Sequence, residues 1–333
     1  MSSIQTEHLK YGIGISTDYT ELGLNTRKIT AGSVDCTGDR IELNIPETEV
    51  GITDHQLFSF IAENKKDTFN IKTSEDIHLT INAITKTGLV YIQIFVEKHA
   101  SITIHEQLIP KDFLGCIIDI IIEENANVTY IADQRIAEHQ SVITLRRAFV
   151  KYNAHMKWID LAIGGTIANS SIYTMLDEPK AVGETYGLFF GTGSQLHDIA
   201  HTTIHRAPST TSNLRTNGAL DDSAKAVYRS LIDIRKNAPD AKGHQKEETL
   251  LLSRDAQISS VPDLEISNNE VSCSHGVSTT NIDDRLLFYF HSRGVGTAEA
   301  KQAIVDGHFG VILDMIEDES IKLRVADALK QSI

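Results

Sequence analysis

The chain has 333 residues, of which 31 are basic and 45 acidic, giving a formal charge of −14 at neutral pH. That balance excludes the basic face that a nucleic acid or an anionic membrane surface requires, while 41% hydrophobic and 23% charged residues describe a globular protein with a sizeable buried core. Cys36, Cys116 and Cys273 are odd in number and far apart, which excludes a disulfide framework and points to a reducing compartment.

Residues 1–27 read as an irregular segment. "MSSIQTEHLK" has no basic stretch followed by an apolar one, so no secretory signal is expected, and "GIGIST" reads as a turn. The most apolar run, "FLGCIIDIIIEE", is too short to span a bilayer and is interrupted by Asp119. A cytoplasmic location is expected, with no membrane partner.

Residues 28–282 read as a β core. "LVYIQIFV", "ASITIHEQLI", "CIIDIIIEE", "NVTYIA" and "SVITLRRAFV" are β-branched or aromatic runs with partial alternation. Between them a polar or turn residue, an alanine and an apolar strand start recur. Ala100, Ala126, Ala154 and Ala181 follow one another at steps of 26, 28 and 27. A near-constant step in an all-β stretch suggests stacked coils, each too small to bury its apolar face alone. A β-helix satisfies this pattern; a β-sandwich or jelly roll with similar strand lengths is the alternative.

Residues 283–333 change to helical periodicity. Asp283 or Asp284 caps a first helix that Gly294 ends, and Thr297 is the expected cap of a second. Ala300, Ile304, Val311, Ile312 and Met315 recur at helical spacing in that second helix, and Ile321, Val325 and Leu329 share one face of a third. Such helices either cover the end of a β stack or present a face to a partner. Phe288, Tyr289, Arg293 and Phe309 are the candidate docking residues, because aromatics and arginine dominate interfaces. The aromatics serve equally as the core of the helical tail.

Three groups carry metal-binding chemistry. In "EVSCSHG", Cys273 and His275 are two apart and share one strand face, so both could meet one metal or cluster. A small buried cysteine beside a structural histidine is the ordinary meaning of that spacing, and two ligands leave a coordination sphere incomplete. In "LHDIAHTTIHRAPSTTS", His197, His201 and His205 lie on one side of a strand or helix; a polar strand face or interface is a better reading than a metal site. In "HQKEETLLLS", Glu247 is a candidate ligand or general base, although a solvated turn is the usual meaning of such charge. There is no G-x-x-x-x-G-K-[ST], so no nucleotide is expected on this chain, and no G-x-S-x-G or C-x-x-C.

"LLLS" at Leu250–Ser253, "PDLEI" at Pro262–Ile266, "NNEVSCSHG" at Asn268–Gly276 and "LFYFHSRG" at Leu287–Gly294, with "HRAPSTTS" and "GALDDSAKAVYRS" upstream, resemble the SufB/SufD family of the SUF iron–sulfur cluster assembly machinery. The "CSHG" form is closer to the SufD branch. SufB proteins carry a cysteine just before the strand corresponding to "TLLLS", and here Glu247 stands at that position. The resemblance implies a right-handed parallel β-helix with a C-terminal helical region that docks a SufC-type ATPase. It also implies a non-catalytic scaffold that pairs by its β-helix edge with a SufB-like chain or with itself. A transient iron–sulfur cluster at the subunit interface would involve His275, with Cys273 beside it. SufD proteins usually begin with a longer helical segment containing a tryptophan motif, whereas the single tryptophan here is Trp158. A β-helix carbohydrate-active enzyme and a metal-binding structural protein are the alternatives.

Overall fold

A computed structural model describes residues 30–37, 56–64, 68–83, 86–282 and 284–332. The expected segment 1–27, the "GIGIST" turn and the Asp283 cap lie outside the described residues.

The chain winds into a two-sheet β-solenoid. One sheet contains Thr30–Thr37 (β1), Ile77–Ala83 (β3), Ser101–Ile109 (β5), Asn127–Ile136 (β7), His155–Gly164 (β9), Val182–Gly191 (β11), Thr211–Leu220 (β13), Lys242–Leu251 (β15) and Ser272–Asn281 (β17). The other contains Thr68–Thr73 (β2), Thr87–Val96 (β4), Phe113–Ile122 (β6), Ser141–Val150 (β8), Ile167–Leu176 (β10), Leu196–His205 (β12), Lys225–Ile234 (β14) and Gln257–Ile266 (β16). From β2 on, each strand pairs in parallel with the strand two ahead of it in the chain, so the sheets are the odd and even walls of one stack; β1 runs antiparallel to β3. A rung takes 26 residues at Ser101↔Asn127, 30 at Lys242↔Ser272 and 32 at Lys225↔Gln257.

The alanine repeat marks the corner leading into the odd wall from β5 to β15, with Thr210 in the place of one alanine. His99, Asn125, Asn153, Lys180, Ser209 and Asp240 have φ between 50° and 63°, and each immediately precedes the buried residue that turns the corner: Ala100, Ala126, Ala154, Ala181, Thr210 and Ala241. Asn, Asp and His tolerate the left-handed region better than most side chains, which explains their recurrence here. The left-handed residues tie the corners together: the His99 N–H donates to the Glu124 carbonyl at 3.1 Å and the Asn125 N–H to the Tyr152 carbonyl at 3.0 Å.

Between the walls, like residues stack in register. Ile92 lies over Ile118, Ile94 over Ile120 and Val96 over Ile122, all buried in the lumen. The outer faces are covered as well. A helix at Gln56–Asn64 (α1) sets Phe58 and Ile61 against Leu89, Phe113 and Ile117 on the even wall. After β17 come Asp284–Ser292 (α2), Thr297–Leu313 (α3) and Glu319–Ser332 (α4). α3 and α4 lay Val305, Phe309, Ile312, Ile321, Val325 and Leu329 against Ile159, Leu161, Leu188 and Phe190 of the odd wall.

Ile321, Val325 and Leu329 form one buried face, as their spacing predicts. In α3 the cap is Gly296 rather than Thr297, and its N–H donates to Glu299 Oε2 at 3.1 Å. The buried stripe is accordingly Ala300, Val305, Phe309, Ile312 and Leu313. No helix among the described residues is long and apolar enough to cross a membrane.

Candidate functional site at the open end of the stack

The stack ends on β16 and β17. Neither has a further strand on its outer edge among the described residues. Every residue of β17 except Cys273 is exposed, in contrast to β10, which is buried throughout. Ile266 and Val277 are exposed to 46% and 42% at this end.

Cys273 packs against the cluster of Leu214, Ile232, Ile234, Ala238 and Ala241, so its thiol faces the lumen. Alternation along a strand then gives His275, Val277 and Thr279 the same face. They form the rim of an open mouth. Behind them, in register, stand Gly243, Gln245, Glu247 and Thr249 of β15. Gly243 is glycine for a packing reason: a Cβ there would lie 2.9 Å from Ile232 Cγ2 and 3.1 Å from Cys273 Sγ.

The floor of the mouth is polar. Gln245 spans the lumen, its Nε2 donating to the Asp263 carbonyl at 3.2 Å. Glu247 accepts from the Thr249 hydroxyl. Gln245 Oε1 and Glu247 Oε2 are buried with no hydrogen-bond partner, and buried polar atoms are ordinarily paired. Burial raises the Glu247 carboxyl above its usual range, and the Thr249 bond offsets this only in part. Burial likewise raises the Cys273 thiol, so at neutral pH it carries its proton and metal or sulfur binding must displace it. Among the described residues no three His, Cys, Asp or Glu side chains form a group that could hold a metal by themselves.

Glu247 does not lie in a solvated turn, as its charged neighbours suggested. It is an interior position of β15, and its register partner Thr216 begins a buried polar chain that runs back along the lumen. The Thr216 hydroxyl donates to the Tyr228 hydroxyl at 3.1 Å, and His201 Nδ1 lies 3.1 Å from Thr216 Oγ1. His201 Nε2 lies 3.1 Å from Asp160 Oδ2, and Ser170 donates to Asp160 Oδ1 at 2.9 Å. Arg146 donates to Ser170 at 3.0 Å and closes a bidentate pair with Glu106, both bonds 2.7 Å. Burial pushes the Asp160 carboxyl up, but His201, Arg146 and Ser170 outweigh it and hold the group ionised, below its usual value.

The three histidines are thus neither an outward strand face nor one metal site. All three face the lumen from β12, and residues four apart on a strand are separated by about 13 Å. His205 is held by the hydroxyls of Thr210 and Ser212 at 2.7 and 2.8 Å. His197 has no partner on either nitrogen, and burial pushes its imidazole down to about 4.

The helical tail is fixed to the odd wall beside this end. His308 Nε2 donates to the carbonyls of Gly218 and Glu248 at 3.0 and 3.1 Å, and Asn217 Nδ2 donates to the His308 carbonyl at 2.9 Å. Phe309 belongs to that seam: it is fully buried, edge-on to Phe190 with ring centroids 6.3 Å apart, and is not a surface anchor. Phe288 and Tyr289 of α2 are exposed to 72% and 54%, and the Arg293 guanidinium lies 5.5 Å from the Tyr289 ring centroid.

Residues 80–308 match the family model described as "SUF system FeS cluster assembly, SufBD core domain". The chain is similar to an "Iron-sulfur cluster assembly SufBD family protein" of Staphylococcus epidermidis (strain ATCC 12228), 27% identical over 193 residues, which are 58% of this chain and 42% of that protein. A protein of the same description from Staphylococcus aureus (strain USA300) matches with the same identity and coverage. The match thus spans less than half the length of these relatives. With the family model covering more than half of the chain, this chain belongs to the SufBD family of the SUF iron–sulfur cluster assembly system.

Proposed function

We propose that the chain is a non-catalytic, SufD-like scaffold subunit. It pairs through the edge formed by β16 and β17 with a SufB-like chain, or with a second copy of itself, and docks a SufC-type ATPase through α2–α4. The cargo is a nascent iron–sulfur cluster, built where the mouth meets the partner.

One observation carries this reading. Among the described residues the last rung is open, with a ten-residue edge strand, exposed apolar side chains, and a thiol and an imidazole on the rim. A long unpaired edge is a pairing surface that proteins cover or blunt. His275 and Cys273 supply two ligands, and the partner supplies the rest. Glu247 stands where SufB proteins have a cysteine, so sulfur delivery falls to the partner, and Glu247 itself is a candidate to accept a proton or face the cargo. Phe288, Tyr289 and Arg293 form an exposed aromatic and cationic group suited to anchoring a partner protein. ATP binding by the docked subunit can act on the scaffold only through differential affinity for two of its states.

The test is co-purification of the tagged chain from its host, without oxygen, beside a variant lacking residues 283–333. An ABC-type ATPase recovered with the intact chain and lost with the truncation supports the reading. Recovery of no ATPase with the intact chain contradicts it.

A further inference from the structure

Away from the mouth, the outer face of the odd wall carries a second group of metal-binding side chains. His78 of β3 and His105 of β5 are direct register partners. Both point outward, because their neighbours Ile77, Leu79, Ile104 and Glu106 are buried on the lumen side. Their Nδ1 atoms are 3.4 Å apart, with ring centroids at 5.5 Å and planes crossing at 83°. A well-formed N–H hydrogen bond spans about 2.7–3.2 Å, so this separation is long for one. It is the bite of a tetrahedral ion: two imidazole nitrogens about 2.0–2.1 Å from one metal lie about 3.3–3.4 Å apart.

The far side of His105 supports the same reading. Its Nε2 is buried, makes no hydrogen bond, and looks toward Asp133 Oδ2 at 3.6 Å. Asp133 is gripped by Arg135 through both carboxylate oxygens, and Arg135 donates in turn to the Arg324 carbonyl of α4 at 3.2 Å. A carboxylate behind the second nitrogen of a metal-bound histidine fixes its tautomer and raises its basicity.

We propose that His78 and His105 bind one divalent transition-metal ion of the zinc or ferrous class through their Nδ1 atoms, with Asp133 orienting His105. Among the described residues no third His, Cys, Asp or Glu joins them, so these two side chains are the ligands the proposal rests on, and an ion held by two protein ligands is exchangeable. His78 is exposed, which gives the ion a direct route from solvent. The site is separate from the mouth and does not depend on how the mouth is used.

The intact chain is titrated with Co²⁺, followed by its visible absorption, and with Zn²⁺ by calorimetry. Wild type is compared with His78→Ala, His105→Gln, Asp133→Asn and the mouth double variant Cys273→Ser/His275→Ala. The expected result is one ion that persists in the mouth variant, is lost in His78→Ala and His105→Gln, and binds about 10–100-fold more weakly in Asp133→Asn. Circular dichroism matched to wild type shows that the His78 variant still folds. Absence of binding by wild type, undiminished binding by His78→Ala, or loss confined to the mouth variant would overturn the proposal.

Discussion

β6 and β17 are both ten-residue strands paired in parallel, and each holds a cysteine. Cys116 of β6 is fully buried, and burial, reinforced by the Glu106 carboxylate, pushes its thiol well above the ordinary value. Cys273 of β17 is half-buried at the rim. β6 reads FLGCIIDIII because strands stack on both of its edges and both of its faces are covered. β17 reads SCSHGVSTTN and, among the described residues, has a neighbouring strand on one edge only. The same backbone therefore makes a fully buried thiol in mid-stack and a half-buried one at the end, and position in the stack, more than local sequence, sets that difference.

The sharpest way to break the mid-stack side of this contrast is Arg146→Ala. It leaves Glu106 charged and uncompensated in the lumen, which costs about 3–5 kcal/mol. Urea unfolding followed by the fluorescence of Trp158, buried 5.0 Å from the Tyr130 ring centroid, reads this loss directly. Phe309→Ala empties the seam between tail and wall, with an expected cost of about 3–5 kcal/mol. Phe288→Ala, on the exposed helix, should stay within about 0.5 kcal/mol. Equal thermal shifts for the two would contradict the seam.

Acid is the next lever. Burial pushes the His197 and His205 imidazoles down from 6.5 to about 4. Below pH 6.5 the unfolded chain takes up protons that the folded chain refuses, so stability falls as the pH drops from 6.5 toward 4. His197→Phe should flatten that slope in a series of melting curves, and an unchanged slope would show that His197 is not the group concerned. The smallest effect on the fold is expected at the rim. Cys273→Ser and His275→Ala should each shift stability by less than about 0.5 kcal/mol. Under the proposed function His275→Ala nonetheless abolishes maturation of iron–sulfur proteins in the host, while Cys273→Ser is milder; wild-type maturation with His275→Ala excludes the ligand role.

Much of the fold was legible because its determinants are local and repeated. The alanines at steps of 26, 28 and 27 mark corners, since each follows a left-handed residue that sequence alone supplies as Asn, His or Lys. The helix face of Ile321, Val325 and Leu329 was legible for the same reason. Contacts across the lumen were not. Gly187 and Gly191 leave the space that His201 and His197 fill: a Cβ on Gly187 would lie 2.6 Å from His201 Cε1, and one on Gly191 2.9 Å from His197 Cδ2. The matching step of four between Gly187 and Gly191 and between His197 and His201 is a signal for that complementarity, although nothing local says which side of a strand faces in. Glu247 was misplaced in a turn because its charge was weighed without Thr216, its partner one rung away. Phe309 was offered as a surface anchor because aromatics dominate interfaces; its burial bears out the other reading of the same residue, the core of the helical tail.

The central claim is that the open last rung is where a second protein seats. Backbone hydrogen exchange of the isolated chain, compared with the same chain in the complex purified from its host, tests this most directly. The account predicts new protection concentrated in residues 257–266 and 272–281, with the mid-stack strands unchanged. Free exchange of both strands in the complex, with protection appearing on another face, would contradict it.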